Sequence, residues 1–268
     1  MAFAPLGWAK TNGIRLSACD WSLGAVSPEG LAVAKRVGLD GLEISAGDAT
    51  DTLRIADPDV RQAYKKAMAE TGLVVSSVAM GFLNQAPLAL DPRGPAWLEQ
   101  TIKGTKDLQA KVILLAFFGN GDLRNADGLK AAEVDTVVER LKQAAPKAEQ
   151  AGVVLGLENT LSAEQNLAIL DRVGSAAVKV YYDCGNSTTN GYDVPKEIRL
   201  LRDRICQIHL KDGRQLLGQG AVDMDAAAKA IRDIDYTGWL VLETAIQNDD
   251  RDGSFRTNAT YVRELFDI

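Results

Sequence analysis

Eight short apolar runs, rich in β-branched residues, alternate with longer amphipathic stretches along the chain. Runs of this kind predict strands, and the amphipathic stretches between them predict helices. The predicted strands cover residues 14–19, 41–44, 74–80, 112–117, 153–158, 178–183, 205–210 and 240–243. Eight strand–helix units of roughly 32 residues each are the size expected of a closed (β/α)8 TIM barrel. The sequence therefore predicts an α/β protein with that fold.

The stretches between the strands carry helix start and stop signals. The predicted helices cover residues 28–37, 58–71, 96–109, 132–151, 163–173, 195–201, 225–234 and 256–266. Ser27 and Asp57 each precede a proline, as N-caps do, and Gly152 and Gly174 stand where a left-handed residue ends a helix. A doubly wound open sheet is the rival architecture, but the first strand runs into Asp20 without a glycine-rich turn. We expect one barrel domain at 13–268, preceded by a short lead-in at 1–12.

Charge and hydropathy exclude several classes of protein. A net charge of −6 provides no basic stripe for a nucleic-acid backbone. No apolar run approaches the ~18 residues of a transmembrane helix, and the first ten residues lack the features of a secretory signal. The 3 cysteines form no CxxC motif and imply neither a disulfide framework nor a zinc ribbon. We expect a cytoplasmic protein without nucleic-acid or membrane partners.

Ionisable residues end four successive strands, from the fifth to the eighth. They are Glu158, Asp183, His209 and Glu243. Because the carboxyl ends of barrel strands meet at one mouth, these side chains are expected to converge. Taken singly, each carboxylate is more simply interpreted as a helix cap, and the chain's one histidine as a core residue.

The joint pattern favours a metal site over those separate interpretations. Glu158 and Glu243 follow apolar runs, where an unpaired carboxylate is costly to desolvate. Three acids at one mouth would repel each other, so a divalent cation between them is the expected neutraliser. Three carboxylates and one imidazole, without a thiolate, favour Mn²⁺, with Mg²⁺ or Co²⁺ as alternatives, over a structural Zn²⁺.

Six motifs resemble those of a known superfamily. They are GLDGLEIS (38–45), GLENT (156–160), YYDCGN (181–186), QIHLKD (207–212), LGQGAVD (217–223) and VLET (241–244). The chain resembles the xylose isomerase-like TIM-barrel superfamily, in particular the sugar isomerases and epimerases grouped with D-tagatose 3-epimerase. The order Glu, Asp, His, Glu along the last four strands matches the family's metal ligands. Hydroxypyruvate isomerase relatives tend to have glutamine where His209 stands, so the histidine favours the epimerase branch.

The resemblance implies a reaction and a substrate class. In this family the metal chelates a ketose carbonyl and the neighbouring hydroxyl, which acidifies the C–H between them. One of the two glutamates, Glu158 or Glu243, would remove that proton, and the other would return one from the opposite face. The expected function is a metal-dependent sugar isomerase or epimerase for a small ketose or related polyol-ketone. Because relatives often pair, a homo-oligomer agrees with the resemblance.

The residues that would contact substrate differ from the family's pattern. The epimerases usually have a histidine three residues after the strand-six aspartate, and this chain has Asn186. No arginine aligns beyond the strand-seven histidine, which leaves Lys211 and Arg214 as candidates. Trp21 and Glu43 are further candidates at the mouth. For Glu43 a helix cap or an inter-loop ion pair is an equal alternative.

Three other functions compete with the leading one. Proton abstraction followed by loss of a β-hydroxyl would make an inosose-type dehydratase, which Asn186 favours. A metal-dependent nuclease with this barrel would need a histidine-rich cluster and a basic groove, and a single histidine with a net charge of −6 argues against it. A non-catalytic sugar-binding barrel would retain its ligand when Glu158 is replaced by Gln.

Overall fold

The computed structural model describes residues 13–268, and eight parallel strands in them form a closed barrel. The strands are β1 (Arg15–Cys19), β2 (Gly41–Ser45), β3 (Val74–Met80), β4 (Val112–Phe117), β5 (Val154–Asn159), β6 (Val178–Asp183), β7 (Ile205–Leu210) and β8 (Trp239–Leu242). Neighbours along the chain pair with each other, and β8 pairs with β1 to close the barrel. The predicted (β/α)8 barrel is confirmed. The predicted lead-in at 1–12 lies outside the described residues.

Helices follow the strands and cover the outside of the barrel. They are α1 (Asp20–Leu23), α2 (Gly30–Arg36), α3 (Pro58–Thr71), α4 (Gly94–Asp107), α5 (Ala131–Ala151), α6 (Ala163–Val173), α7 (Cys184–Thr189), α8 (Val194–Leu201), α9 (Met224–Asp233) and α10 (Arg251–Phe266). A short antiparallel hairpin, Arg124–Asn125 with Gly128–Leu129, follows β4. In the described part of the chain, no helix has both the length and the apolar character needed to cross a bilayer.

Three predicted helix boundaries, one start and two ends, are confirmed. The carboxylate of Asp57 accepts a hydrogen bond from the amide of Asp59 and so caps α3. Gly152 and Gly174 end α5 and α6 with φ angles of 67° and 72°. These are left-handed conformations that a residue without a Cβ adopts at low cost.

Two predicted helix starts are wrong. Ser27 does not cap α2, because its backbone carbonyl accepts from the amide of Gly30 and the chain makes a turn before the helix begins. The last helix begins at Arg251 rather than at residue 256. It begins earlier because the carboxylate of Asp250 accepts from the amide of Gly253 and caps the helix there.

The barrel strands are buried on both faces, as expected when helices cover the outside and side chains fill the inside. Every residue of β4 is buried, for example. Among the apolar side chains lie fully buried polar ones, at Ser17, Glu43, Ser77, Gln207 and His209. Most buried polar groups in proteins have hydrogen-bond partners, so these residues mark where the barrel interior contains polar interactions as well as apolar packing.

Candidate metal centre

The four ionisable strand-end residues converge at one end of the barrel. Glu158 lies in β5, Asp183 ends β6, His209 lies in β7, and Glu243 directly follows β8. The parallel register sets Asp183 beside His209, and His209 beside Val241, two residues before Glu243. Each of the four offers one ligand atom, and these atoms lie within 4.8 Å of one another. The structure thus brings the whole predicted ligand set together.

One nitrogen of His209 faces all three carboxylates. Its Nδ1 atom lies 2.9 Å from Oε1 of Glu158, 3.6 Å from Oε2 of Glu243 and 3.8 Å from Oδ2 of Asp183. The imidazole is fully buried. A nitrogen surrounded in this way has the position of a metal ligand, because its lone pair and three carboxylate oxygens share one small volume.

Asp183 tests whether a cation fits these residues. Its Oδ1 atom accepts from the amide of Asn186 at 2.6 Å, whereas its Oδ2 atom is buried without a hydrogen-bond partner among the described residues. Burial, and then the charges of Glu158 and Glu243, raise the pKa of Asp183 to about 8. A buried acceptor without a donor, beside two more carboxylates, is unfavourable unless positive charge is added. The residues present therefore fit a divalent cation.

The two glutamates have different surroundings. Burial raises the pKa of Glu158, whose hydrogen-bond partner is His209. Burial also acts to raise the pKa of Glu243, but the charges of His209 and Lys211 outweigh it and hold that pKa below its ordinary value. Nζ of Lys211 donates to Oε2 of Glu243 at 2.9 Å, and Nε1 of Trp21 donates to Oε1 at 3.2 Å. These two donors fix the orientation of the Glu243 carboxylate.

A cavity of about 560 Å³ adjoins the candidate metal centre. Both glutamates line it, and so do Trp21, Asn186 and Lys211, three of the five residues predicted to contact substrate. The rest of its wall combines polar and apolar side chains, among them Ser45, Asp48, Arg54, Asn84, Gln85, Val26, Phe82 and Phe118. A wall of this kind can bind the hydroxyls and the C–H faces of a small polyhydroxy ligand.

The other two predicted contacts, Glu43 and Arg214, lie off the cavity wall. Glu43 is fully buried, with its Oε1 atom 2.8 Å from Nε2 of His209. Its Oε2 atom accepts from the hydroxyls of Ser77 at 2.6 Å and Tyr181 at 2.7 Å. Both carboxylate oxygens therefore have partners inside the barrel, and the geometry is that of neither a substrate contact, a helix cap nor an inter-loop ion pair.

Arg214 lies in the exposed loop after β7. Its carbonyl accepts from Nε2 of Gln247 at 2.7 Å. The carboxylate of Asp212 organises the same loop by accepting from the amides of Gly218 and Gly220. These backbone bonds hold the loop in a path that leaves Arg214 outside the cavity.

The hydrogen-bond partners of Glu43 were not predicted from the sequence. Nε2 of Gln207 donates to Oγ of Ser77 at 2.7 Å and to the hydroxyl of Tyr181 at 2.9 Å. A signal for two of them was present in the sequence. Successive side chains of a strand alternate between its faces, so Tyr181 shares a face with Asp183, and Gln207 shares a face with His209.

The barrel and its strand-end cluster define an α/β barrel protein with a candidate divalent-metal centre. The profile of the family described as Xylose isomerase-like TIM barrel matches residues 31–265. That match covers most of the chain, and the protein belongs to the xylose isomerase-like TIM barrel family.

Named relatives in this family are epimerases. A putative L-ribulose-5-phosphate 3-epimerase of Escherichia coli (strain K12) is 28% identical over 240 residues, which are 81% of this chain and 82% of that protein. A 2-epi-5-epi-valiolone 7-phosphate 2-epimerase of an Actinoplanes species is 24% identical over 247 residues, 89% of this chain and 88% of that one. A solved L-ribulose 3-epimerase structure superposes with a TM-score of 0.76 at 22% identity, covering 95% of each chain. At that identity the structural likeness shows the shared fold.

Proposed function

We propose that this protein is a divalent-metal-dependent sugar epimerase or isomerase that moves a proton beside the carbonyl of a keto sugar. The observation that carries the proposal is the pair of glutamates. Glu158 and Glu243 line one cavity and approach the same His209 nitrogen from two different strands. The epimerase names of the relatives support the reaction type.

The two carboxylates suit removal and return of a proton on a bound sugar. A carboxylate takes a proton from carbon at a useful rate only when it is fixed and partly desolvated, and both conditions hold here. Glu243 is fixed by hydrogen bonds from Lys211 and Trp21. Glu158 is buried 2.9 Å from Nδ1 of His209, where a shared cation would hold both residues. If the sugar lies between them, one glutamate acts as the base and the other delivers a proton to the opposite face.

The four ligand residues would hold the cation, with Mn²⁺ as the first candidate and Mg²⁺ or Co²⁺ as alternatives. When bound, such a cation supplies positive charge that polarises the substrate carbonyl and stabilises the enediolate. Lys211, Asn186 and Trp21 on the cavity wall would orient the sugar hydroxyls. We propose these three as substrate contacts.

A second reaction is favoured by one residue. Asn186 stands where the epimerases usually have a histidine, and it lines the cavity. Without that histidine, the carbanion formed by proton removal has a different set of neighbours, and loss of a β-hydroxyl would give a dehydratase. The first step is the same in both reactions, so the same glutamates would serve.

The test is solvent exchange in D₂O with Mn²⁺ and a panel of ketoses, their phosphates and keto-cyclitols. We expect deuterium to enter beside the carbonyl as an epimer forms. Glu158→Gln and Glu243→Gln should each lower the exchange rate by about 10²- to 10⁴-fold. The control is Glu139→Gln, which alters an exposed glutamate paired with Lys142 and should leave the rate unchanged.

Metal content is measured for every variant, because Glu158 and Glu243 are also proposed ligands. Exchange accompanied by net loss of water would assign the dehydratase instead. Sugar binding that persists in Glu158→Gln, with no exchange in the unmodified protein, would contradict the proposal and assign a binding protein.

A further inference from the structure

The second ring nitrogen of His209 faces away from the metal centre and into a set of buried side chains. We call Glu43, Ser77, Tyr181 and Gln207 the buried network. The network arises from strand register, since Glu43 in β2 pairs with Ser77 in β3, and Tyr181 in β6 pairs with Gln207 in β7. All four side chains are buried.

The direction of each hydrogen bond in the buried network follows from its chemistry. Nε2 of Gln207 can only donate, and it reaches the oxygens of both Ser77 and Tyr181. Each hydroxyl therefore has its own proton free for another acceptor. The acceptor is Oε2 of Glu43, at 2.6 and 2.7 Å.

The opposite orientation of the Gln207 amide would be less favourable. Its oxygen would then accept both hydroxyl protons, and the Glu43 carboxylate would face two oxygens that carry no proton towards it. A buried charge without donors costs more than a buried amide oxygen without one. In the observed orientation, Oε1 of Gln207 is the one polar atom of these four side chains that has no hydrogen-bond partner among the described residues. This is the smaller of the two costs.

Oε2 of Glu43 accepts from two hydroxyls, as the oxygens of a carboxylate do. Its other oxygen, Oε1, then accepts a proton rather than donating one. The atom that Oε1 meets is Nε2 of His209, at 2.8 Å. The proton of that contact must therefore be on Nε2.

We infer that Glu43 is a positioning residue, which holds the proton of His209 on Nε2 so that the lone pair of Nδ1 is available to a cation at the metal centre. Neutral imidazole has one donor and one acceptor nitrogen, so fixing the first determines the second. Carboxylates that orient ligand histidines in this way raise metal affinity. The inference rests on the proposed metal centre, and it assigns Glu43 a role in place of substrate contact.

Cys19 also lies close to this nitrogen. Its Sγ atom lies 3.4 Å from Nε2 of His209 and 3.5 Å from Oε1 of Glu43. A thiol is a weak donor and a weak acceptor, and burial raises the pKa of Cys19, so the sulfur stays neutral. It fills space beside the carboxylate without replacing it. Cys19→Ala is therefore a matched control.

The first experiment uses the chain's one histidine. In protein labelled with ¹⁵N-histidine, the two ring nitrogens give a single pair of signals, and Zn²⁺ serves as a diamagnetic probe. We expect the Zn²⁺-loaded wild-type protein to show the proton on Nε2 and the metal-induced shift on Nδ1. A proton on Nδ1, a metal shift on Nε2 or no metal shift on either nitrogen would overturn the inference.

The second experiment reverses the hydrogen bond with Glu43→Gln. The hydroxyls of Ser77 and Tyr181 should hold the new amide oxygen, so its NH₂ group faces Nε2 of His209. We expect Mn²⁺ to bind about 10- to 100-fold more weakly by calorimetry. Cys19→Ala should match the wild-type affinity.

Unchanged Mn²⁺ affinity in Glu43→Gln would also overturn the inference. If that variant does not fold, the wild-type spectrum still decides the matter. Neither measurement involves a sugar. A protein that binds metal through Nδ1 but exchanges no proton with any ketose would refute the proposed function and leave the role of Glu43 intact.

Discussion

The ring of His209 separates two polar clusters that differ in how well their hydrogen bonds are satisfied. On the Nδ1 side lie the carboxylates of Glu158, Asp183 and Glu243, where acceptors outnumber donors and one oxygen of Asp183 has no hydrogen-bond partner among the described residues. On the Nε2 side lies the buried network, where both oxygens of its carboxylate receive hydrogen bonds.

Both clusters are buried in the same barrel, so burial alone does not explain the difference between them. The clusters differ in their balance of negative charge and hydrogen-bond donors. The candidate metal centre concentrates negative charge that its own protein donors do not neutralise, and a divalent cation would compensate that charge. The buried network has one carboxylate with its own set of donors, which suits a fixed orientation. His209 therefore contacts both clusters, one through each ring nitrogen.

The largest effect that distinguishes the clusters should be that of metal on stability. At a free Mn²⁺ concentration of 1,000 times the dissociation constant, binding should add about 4.1 kcal/mol to the free energy of unfolding. Asp183→Asn should remove most of this increment without lowering the stability of the metal-free protein, since it removes one of several like charges. Urea unfolding with and without Mn²⁺ measures both quantities.

The control for this experiment is Asp127→Asn, which changes an exposed aspartate in the hairpin after β4. It should show the full wild-type increment. If Mn²⁺ does not stabilise the wild-type protein, or if Asp183→Asn unfolds more easily without metal, the contrast drawn between the clusters is wrong.

Asp20 is a buried carboxylate outside both clusters, and it tests whether hydrogen bonds offset burial. The amide and hydroxyl of Ser45 donate to its two oxygens at 2.7 and 2.6 Å, yet burial outweighs them and raises the pKa of Asp20 from 3.8 to about 6. A carboxyl whose pKa is higher in the folded state stabilises the protein fully below pH 3.8. That contribution is lost as the pH rises to about 6.

Asp20→Asn should abolish this pH dependence, because an amide does not ionise and can still pair with Ser45. Each pKa unit corresponds to about 1.4 kcal/mol, so the variant should gain stability relative to wild type by on the order of 3 kcal/mol between pH 4 and pH 7. Urea unfolding of both proteins across that range gives the difference at each pH. A difference that does not change with pH would mean that the Ser45 bonds do compensate for burial.

The sequence was sufficient to predict that the four strand-end residues converge, because strand ends are easy to recognise. The last four apolar runs each end at an ionisable residue, and in a parallel barrel the carboxyl ends of all strands face the same mouth. Glu158, Asp183, His209 and Glu243 could therefore be grouped without knowing how the chain closes. The caps at Asp57, Gly152 and Gly174 were predictable for a similar reason, since they depend on neighbours within a few residues.

The contact of Glu43 with His209 could not be predicted in this way. Its partner His209 is 166 residues away and lies on a strand that does not neighbour β2 in the barrel, so only the closed barrel brings the two together. The position of Arg214 depended on a loop whose path is set by the carboxylate of Asp212. Local sequence patterns carry little information on contacts across a barrel or within an irregular loop.

The smallest expected effect tests the buried network itself. Tyr181→Phe removes one of the two hydroxyl donors to Glu43 and one acceptor of Gln207, and should lower the free energy of unfolding by about 1–3 kcal/mol. Tyr64→Phe is the matched control, because Tyr64 is equally buried but its hydroxyl has no partner among the described residues. Removing that hydroxyl should leave stability unchanged or slightly raised. Urea unfolding of the two metal-free variants measures the contrast, and equal losses would mean that the network's hydrogen bonds do not contribute to stability.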